Sequence, residues 1–211
     1  FYAAQTVLTP DGRRVMIGWM QNWDACNLRD PEEKWLGQMS LPRELFLKDG
    51  RLYQRPVREL DEMRRNKVEY HNVTFSDVIS LNGIRGRMVD MELTLRPGEG
   101  EKLYQKFALR FAQDEKYQTA ISFRPHESVL KIDRKFSGSR RAIIHQRRSL
   151  VNSKNGELKL RVILDRFSVE VFVNDGEQVM TATMYTDQSA DGISFFADGV
   201  VNMDVVKYDL A

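Results

Sequence analysis

The chain has 211 residues, of which 42% are hydrophobic and 29% charged, and this is the composition of a globular protein with room for one large domain and an appendage. Its 32 basic and 30 acidic residues give a net charge of +2, so nucleic acid and anionic membrane are set aside as partners. The single cysteine, Cys26, excludes an intramolecular disulfide, and no apolar run approaches the roughly 20 residues that span a bilayer.

The N-terminal quarter predicts short strands separated by turns. Residues 14–20 form a mostly apolar run after the turn Thr9-Pro10-Asp11-Gly12, which indicates a hairpin with a buried second strand. Residues 24–36 are polar and predict a loop. A strand is expected over 39–47, and Lys48-Asp49-Gly50-Arg51 indicates a hairpin turn into the next strand.

Only one segment has helical character. Pro56 precedes residues 57–64, and the acidic side chains of Glu59, Asp61 and Glu62 suit the first turn of a helix. The sequence therefore predicts a short connector helix at this point, between two regions of β structure.

From about Lys67 the pattern changes to regularly spaced strands with period-two alternation. Segments with this pattern are 88–96, 103–111, 117–123, 166–173, 178–185, 193–197 and 200–208. The clearest hairpin joins 166–173 to 178–185 through Asn174-Asp175-Gly176, residue types that accept left-handed turn positions. The expected core positions are Phe167, Val169, Val171, Val173, Phe195 and Val205. Many strands with frequent turns and almost no helix indicate an all-β protein, with an antiparallel β-sandwich in this part.

The residues offer few independent sites for chemistry. The three histidines, His71, His126 and His145, lack metal-ligand spacing, and there is no glycine-rich phosphate loop, so neither a metal nor another cofactor is expected. A basic cluster over 139–148 is interrupted by Ala142-Ile143-Ile144-His145. We interpret it as a solvated strand face in preference to a phosphate-binding patch.

Three stretches in the correct order resemble glycoside hydrolase family 32. Residues 1–6 with 18–23 (Gly-Trp-Met-Gln-Asn-Trp) resemble the last blade of the family's five-bladed β-propeller. Residues 39–45 with 52–57 resemble the exit from that propeller, and 164–176 resembles the signature hairpin of the C-terminal sandwich. The fold that this resemblance implies is all-β, with a last propeller blade and a short connector helix before an antiparallel β-sandwich.

The resemblance implies a parent enzyme that hydrolyses terminal fructosyl bonds with retention of configuration. Family members use an Asp nucleophile, a Glu acid/base and a further Asp that holds fructose hydroxyls, all in blades preceding the part that this chain resembles. We therefore expect no catalytic residue here and expect the chain alone to be inactive. The chain begins Phe1-Tyr2-Ala3 without Met, and we interpret it as a fragment. Arg29-Asp30-Pro31 spells a family motif, but it follows the Phe-Tyr-Ala stretch instead of preceding it, so we treat it as chance similarity.

Four residues of the last blade are the candidate substrate contacts. Trp19 and Trp23 carry flat aromatic faces that suit a sugar pocket, and Asn22 has an amide that can bind a hydroxyl. Tyr2 is the fourth, from the first strand. Each has a structural alternative: Trp19 as core, Asn22 as a turn residue and Tyr2 as blade packing. For Arg43 and Glu44 we favour ion pairs at the propeller–sandwich junction over a catalytic role.

The expected organisation is a last-blade remnant over 1–54, a connector over 55–66 and a sandwich over 67–211. The expected partners are sucrose, phosphorylated sucrose or a fructan, and the remaining propeller portion of the same protein. The alternative is an independent carbohydrate-binding or dimerisation sandwich, with a homo-oligomer as a further option. The sequence leaves the cellular compartment open.

Overall fold

The computed structural model describes residues 1–20, 37–100, 102–138 and 145–211. Within these ranges the chain is almost entirely antiparallel β structure, and no described helix is long and apolar enough to cross a membrane. A first sheet has four strands in chain order: β1 (Tyr2–Leu8), β2 (Arg14–Trp19), β3 (Arg43–Lys48) and β4 (Arg51–Pro56). We call it the blade sheet.

The predicted connector is present as one short 3₁₀ helix, Arg58–Met63, which is shorter than the helix expected over 57–64. Arg64 has already returned to extended geometry because it is the first residue of the next strand. Leu60 is the buried residue of this helix, and it packs with Ile163 and Phe172 in a small apolar cluster. The connector is thus held against the sandwich by its one buried side chain.

The second part of the chain is a β-sandwich. Its strands are β5 (Arg64–Ile79), β6 (Val89–Pro97), β7 (Lys106–Gln113), β8 (Gln118–Arg124), β9 (Val129–Phe136), β10 (Gln146–Leu150), β11 (Leu158–Asp165), β12 (Ser168–Val173), β13 (Gln178–Thr183) and β14 (Gly192–Leu210). They are hydrogen-bonded in the order β10-β9-β8-β7-β14-β6-β11-β12-β13, and β5 lies along β14.

One long strand, β14, connects the two groups of strands in the sandwich. The first half of β14 pairs with β7 and its second half pairs with β6, while β5 follows it on the other side. The expected break at Asp198-Gly199 does not end the strand, so the prediction of two strands over 193–197 and 200–208 is wrong. Gly199 has a φ of +94°, and the pairing of β14 with β5 shifts register between Ala197 and Val201, so the strand bends and continues.

The core lies between the sandwich layers and follows the predicted alternation. Val89, Met91, Leu93 and Leu95 of β6 are all buried. Of the six predicted core positions, Val169, Val171, Val173, Phe195 and Val205 are buried in this cluster. Phe167 is the exception: it is half-buried in the turn between β11 and β12, because the strand begins two residues later than expected.

The two best-marked turns have the backbone geometry that their residue types predict. Asp49 and Gly50 have φ values of +51° and +73°. Asn174, Asp175 and Gly176 have φ values of +48°, +61° and +97° between β12 and β13. Left-handed φ at successive positions is the geometry of tight hairpins, and Gly, Asn and Asp tolerate it best.

Candidate functional site

Two aromatic side chains meet at one end of the blade sheet. Tyr2 and Trp19 are directly opposite in the β1–β2 ladder, and their ring centroids are 6.2 Å apart at an interplanar angle of 58°. Tyr2 is 52% exposed, whereas Trp19 is half-buried. Tilted rings at this separation present a partly accessible aromatic surface of the kind that packs against sugar C–H groups.

The position of Trp19 is fixed from its other side as well. Trp19 forms a β-bridge with Met39, which precedes β3. A Cβ on Gly37 would lie 2.8 Å from Trp19 Nε1, and Gly37 has a φ of +95°. Only glycine fits both the space and the backbone conformation here, so the chain approaches the indole ring closely.

The structure therefore places two of the four predicted substrate contacts, Tyr2 and Trp19, side by side. Asn22 and Trp23 lie outside the described residues, as do Cys26 and Asp30. Within the described ranges, no three His, Cys, Asp or Glu side chains come together in a group that could hold a metal ion.

A buried ion pair joins the blade sheet to the sandwich. Arg43 of β3 donates to Glu170 of β12 through Nε at 2.9 Å and Nη2 at 2.5 Å, and the two residues are only 3% and 2% exposed. The backbone N–H of Leu41 donates to the other oxygen of Glu170 at 2.5 Å. Burial raises the pKa of Glu170, and Arg43 and the Leu41 N–H oppose that shift. The predicted junction role of Arg43 is confirmed.

Glu44, the residue after Arg43 in β3, binds a second group of charged side chains. Its carboxylate accepts hydrogen bonds from Arg13 at 2.8 Å, from Arg55 at 2.8 and 3.0 Å, and from Arg58 at 3.2 Å. Burial opposes ionisation of Glu44, but these donors outweigh it and lower its pKa to about 2. Arg13 also binds Glu59 of the 3₁₀ helix, so Glu44 and Arg13 tie the blade sheet to the connector.

The depressed pKa of Glu44 predicts that its contribution to the stability of the fold is lost in acid. A carboxyl group whose folded pKa is depressed stabilises the fold above its unfolded pKa, about 4.3, and this stabilisation disappears as the pH falls through the folded value. We therefore expect Glu44→Gln to lower the melting temperature at pH 7, with the deficit shrinking between pH 4.5 and pH 2. Glu62→Gln, at an exposed position of the 3₁₀ helix, is the control and should show no such trend. A constant deficit for Glu44→Gln across this range would contradict the prediction.

Two buried carboxylates of the sandwich were not anticipated from the sequence. Glu170 alternates with Val169 and Val171, and that pattern by itself indicates a solvent-facing position, whereas the blade sheet covers this face. Asp90 is completely buried, and it accepts hydrogen bonds from Arg64 and Arg161. A polar residue in an alternating strand indicates a side chain that points away from the main core. The sequence does not show which other part of the protein covers that side chain.

Comparison with known proteins identifies the family. The model described as "Glycosyl hydrolases family 32 C terminal" matches residues 59–210, and the corresponding N-terminal domain model matches residues 1–56. The chain is 31% identical to a sucrose-6-phosphate hydrolase of Staphylococcus xylosus over 211 residues, covering all of this chain and 42% of that protein. It is 33% identical to a levanase of Bacillus subtilis, covering 93% of this chain and 31% of that protein.

Solved structures agree with the fold. The structure of sucrose-6-phosphate hydrolase from Lactobacillus gasseri superposes with a TM-score of 0.80 at 27% identity, covering all of this chain and 41% of that one. Fructan 1-exohydrolase IIa from Cichorium intybus gives a TM-score of 0.84 at 21% identity, covering 48% of that chain, and shows likeness of fold alone. The chain spans less than half the length of these relatives. On these matches, and on the blade sheet, connector and sandwich described above, the chain belongs to glycoside hydrolase family 32.

Proposed function

We propose that this chain is the C-terminal part of a retaining glycoside hydrolase that acts on terminal fructosyl bonds of sucrose, phosphorylated sucrose or a fructan. The observation that carries the proposal is the paired aromatic surface of Tyr2 and Trp19 on a sheet that the buried Arg43–Glu170 pair fixes to the sandwich. The relatives named above, a sucrose-6-phosphate hydrolase and a levanase, support the substrate class.

In this proposal the chain supports the catalytic domain and does not itself cleave the bond. Retaining hydrolysis needs two carboxyl groups about 5–5.5 Å apart, one as nucleophile and one as acid/base. We assign both to propeller blades that precede the part of the family which this chain matches. Residues 1–54 then complete the last blade, 55–66 connect it, and 67–211 form the supporting sandwich.

The exposed apolar surface of the blade sheet supports this division. Most of the large apolar side chains that the described structure leaves exposed belong to it or to its adjoining segments: Phe1, Tyr2, Val7, Leu8, Met39, Leu47 and Leu52. All seven residues of β1 are exposed, and β1 is an edge strand of the sheet. An exposed edge with apolar side chains is an aggregation hazard unless another part of the protein covers it. We propose that the preceding blades do so.

The proposal predicts a clear difference between the whole protein and this part of it. The full-length protein should release fructose from sucrose or a fructan with retained configuration, and residues 1–211 alone should release none. The measurement is the rate of fructose release by both proteins. NMR at early times identifies the anomer that is released first. Turnover by pure residues 1–211 would contradict the proposal, because it would place the catalytic carboxylates in this chain.

The role proposed for Trp19 can be tested in the full-length enzyme. If its indole face contacts the sugar, Trp19→Ala should raise KM by about 3- to 10-fold, the range expected for loss of one aromatic contact. Trp19→Phe should recover most of that loss, because it keeps an aromatic face. A fall in melting temperature with unchanged KM would instead identify Trp19 as a packing residue.

A further inference from the structure

The outer surface of the sandwich has a small pocket formed by basic side chains. Strands β7, β8, β9 and β10 lie side by side there. The pocket has a volume of about 90 Å³. It is lined by Lys106, Ser122, Arg124, Glu127, Val129, Lys131 and Arg148. Four of these seven side chains are cations and one is a carboxylate, so the lining is strongly positive.

Strand register brings these cations together from four separate strands. Ser122 lies opposite Ala108 on one side and Lys131 on the other, and Lys131 lies opposite Arg148. Phe107 pairs with Phe123, so Lys106 and Arg124 occupy the next row of the same face. The cluster is consequently absent from any local stretch of sequence, and it exists only because these strands are neighbours.

The cations of the pocket are only partly neutralised. Arg124 pairs with Glu127 at 3.0 Å, but both side chains are more than half exposed, and such surface pairs are weak. Lys131 pairs with Asp133 at 3.0 Å. Lys106 has no carboxylate partner among the described residues, and its ammonium lies 5.6 Å from the centre of the Phe196 ring. Burial lowers the pKa of Lys106, and the charges of Lys131 and Arg124 lower it further.

A hydroxyl group forms part of the pocket wall. Ser122 as a residue is only 5% exposed, but it lines the pocket, and the described residues make no hydrogen bond with its side chain. Its O–H is therefore available as a donor to a ligand that occupies the pocket.

We propose that this pocket binds one tetrahedral oxyanion, either inorganic phosphate or the phosphate group of a monoester. Lys106, Lys131, Arg124 and Arg148 supply the positive charge and N–H donors, and Ser122 donates its O–H. The four cations and the hydroxyl line a single small pocket, so one tetrahedral anion can contact several of them at once. Charge-assisted hydrogen bonds to phosphate are among the strongest that side chains make.

The test is a titration of the full-length protein with inorganic phosphate, followed by ³¹P NMR line broadening at constant ionic strength. The double variant Lys106→Gln/Lys131→Gln should weaken binding about tenfold or more, because it removes two charged donors. Ser122→Ala should weaken it by about 3- to 10-fold, the effect of losing one hydrogen bond. Lys154→Gln, at an exposed lysine of the same sandwich outside the pocket, is the matched control and should leave the dissociation constant unchanged.

Melting temperatures of all variants show whether each is folded, which keeps a loss of binding interpretable. Wild-type affinity in both pocket variants, or equal displacement of phosphate by chloride at the same ionic strength, would overturn the proposal. A parallel titration with glucose 6-phosphate identifies the source of the phosphate group. Equal affinity indicates the free anion, and tighter binding that the pocket variants abolish indicates a phosphate ester. The pocket belongs to the sandwich and not to the blade sheet, so this test is independent of the proposed hydrolysis.

Discussion

Replacing Arg43 with methionine is expected to lower the free energy of unfolding by about 3–5 kcal/mol, the usual effect of removing one partner from a buried ion pair. Among the described residues, Glu170 would keep only the Leu41 N–H as a donor, in a site that is almost completely buried. The substitution also removes the hydrogen bond from Arg43 to Gln54 at 2.9 Å and the contact of the guanidinium with the Phe172 ring at 5.5 Å. Chemical denaturation monitored by fluorescence and circular dichroism measures the change.

A second ion pair across the same junction provides the control. Arg51 of β4 pairs with Glu177 at 2.9 Å, but the Arg51 side chain is 67% exposed, so Arg51→Gln should cost no more than about 1 kcal/mol. An equal loss for both variants would show that burial does not govern the contribution of Arg43. The Arg43→Met deficit should also shrink towards pH 4, because protonation neutralises the carboxyl group of Glu170 that the substitution leaves unpaired.

Replacing Gly176 with alanine is expected to cost about 3 kcal/mol or more, since the substitution adds a steric clash to an unfavourable backbone conformation. Gly176 has a φ of +97°, and a Cβ built there would lie 1.8 Å from the carbonyl oxygen of Gln54. Gln54 belongs to β4, so the β12–β13 turn packs directly on the backbone of the blade sheet. The substitution should therefore push the blade sheet away from the sandwich as well as strain the turn.

Gly50→Ala separates the two effects. Gly50 also has a left-handed φ, +73°, but a Cβ there would meet nothing within 4 Å. Its substitution should cost only the backbone term, about 1–2 kcal/mol. The difference between the two variants in chemical denaturation measures the contact of Gly176 with Gln54. Equal losses would mean that this contact contributes nothing to stability.

These two predictions concern the same interface, which connects the blade sheet to the sandwich through Arg43, Glu170 and Gly176. A rigid junction fixes the position of β1 and β2, and so of the aromatic pair formed by Tyr2 and Trp19. In the function that we propose, the sandwich acts on substrate binding through this junction, without contacting the sugar.

Local features of the chain could be predicted from the sequence because their causes are local. Asp49-Gly50 and Asn174-Asp175-Gly176 form left-handed turns because positive φ has a low energetic cost for these residue types. Alternation in residues 88–96 identified the buried face of β6, because successive side chains of a strand point to opposite sides. The prediction of a strand break at Asp198-Gly199 was wrong, because pairing with the flanking strands β5 and β6 continues on β14 after the bend.

The amino-acid sequence by itself determined the all-β class, most strand positions and the family, since period-two patterning, turn residues and motif order are all written along the chain. Only the tertiary structure decided what covers each polar face. Glu170 is buried because the blade sheet lies over β12, and Arg148 faces Lys106, Arg124 and Lys131 because four strands are neighbours. Arg147 and Arg148 are exposed on β10, as expected for the solvated strand face that the sequence favoured, and the fold adds that Arg148 lines a cationic pocket with side chains of three other strands. The physical reason is that burial and charge density depend on groups distant in sequence, which only strand order and register bring together.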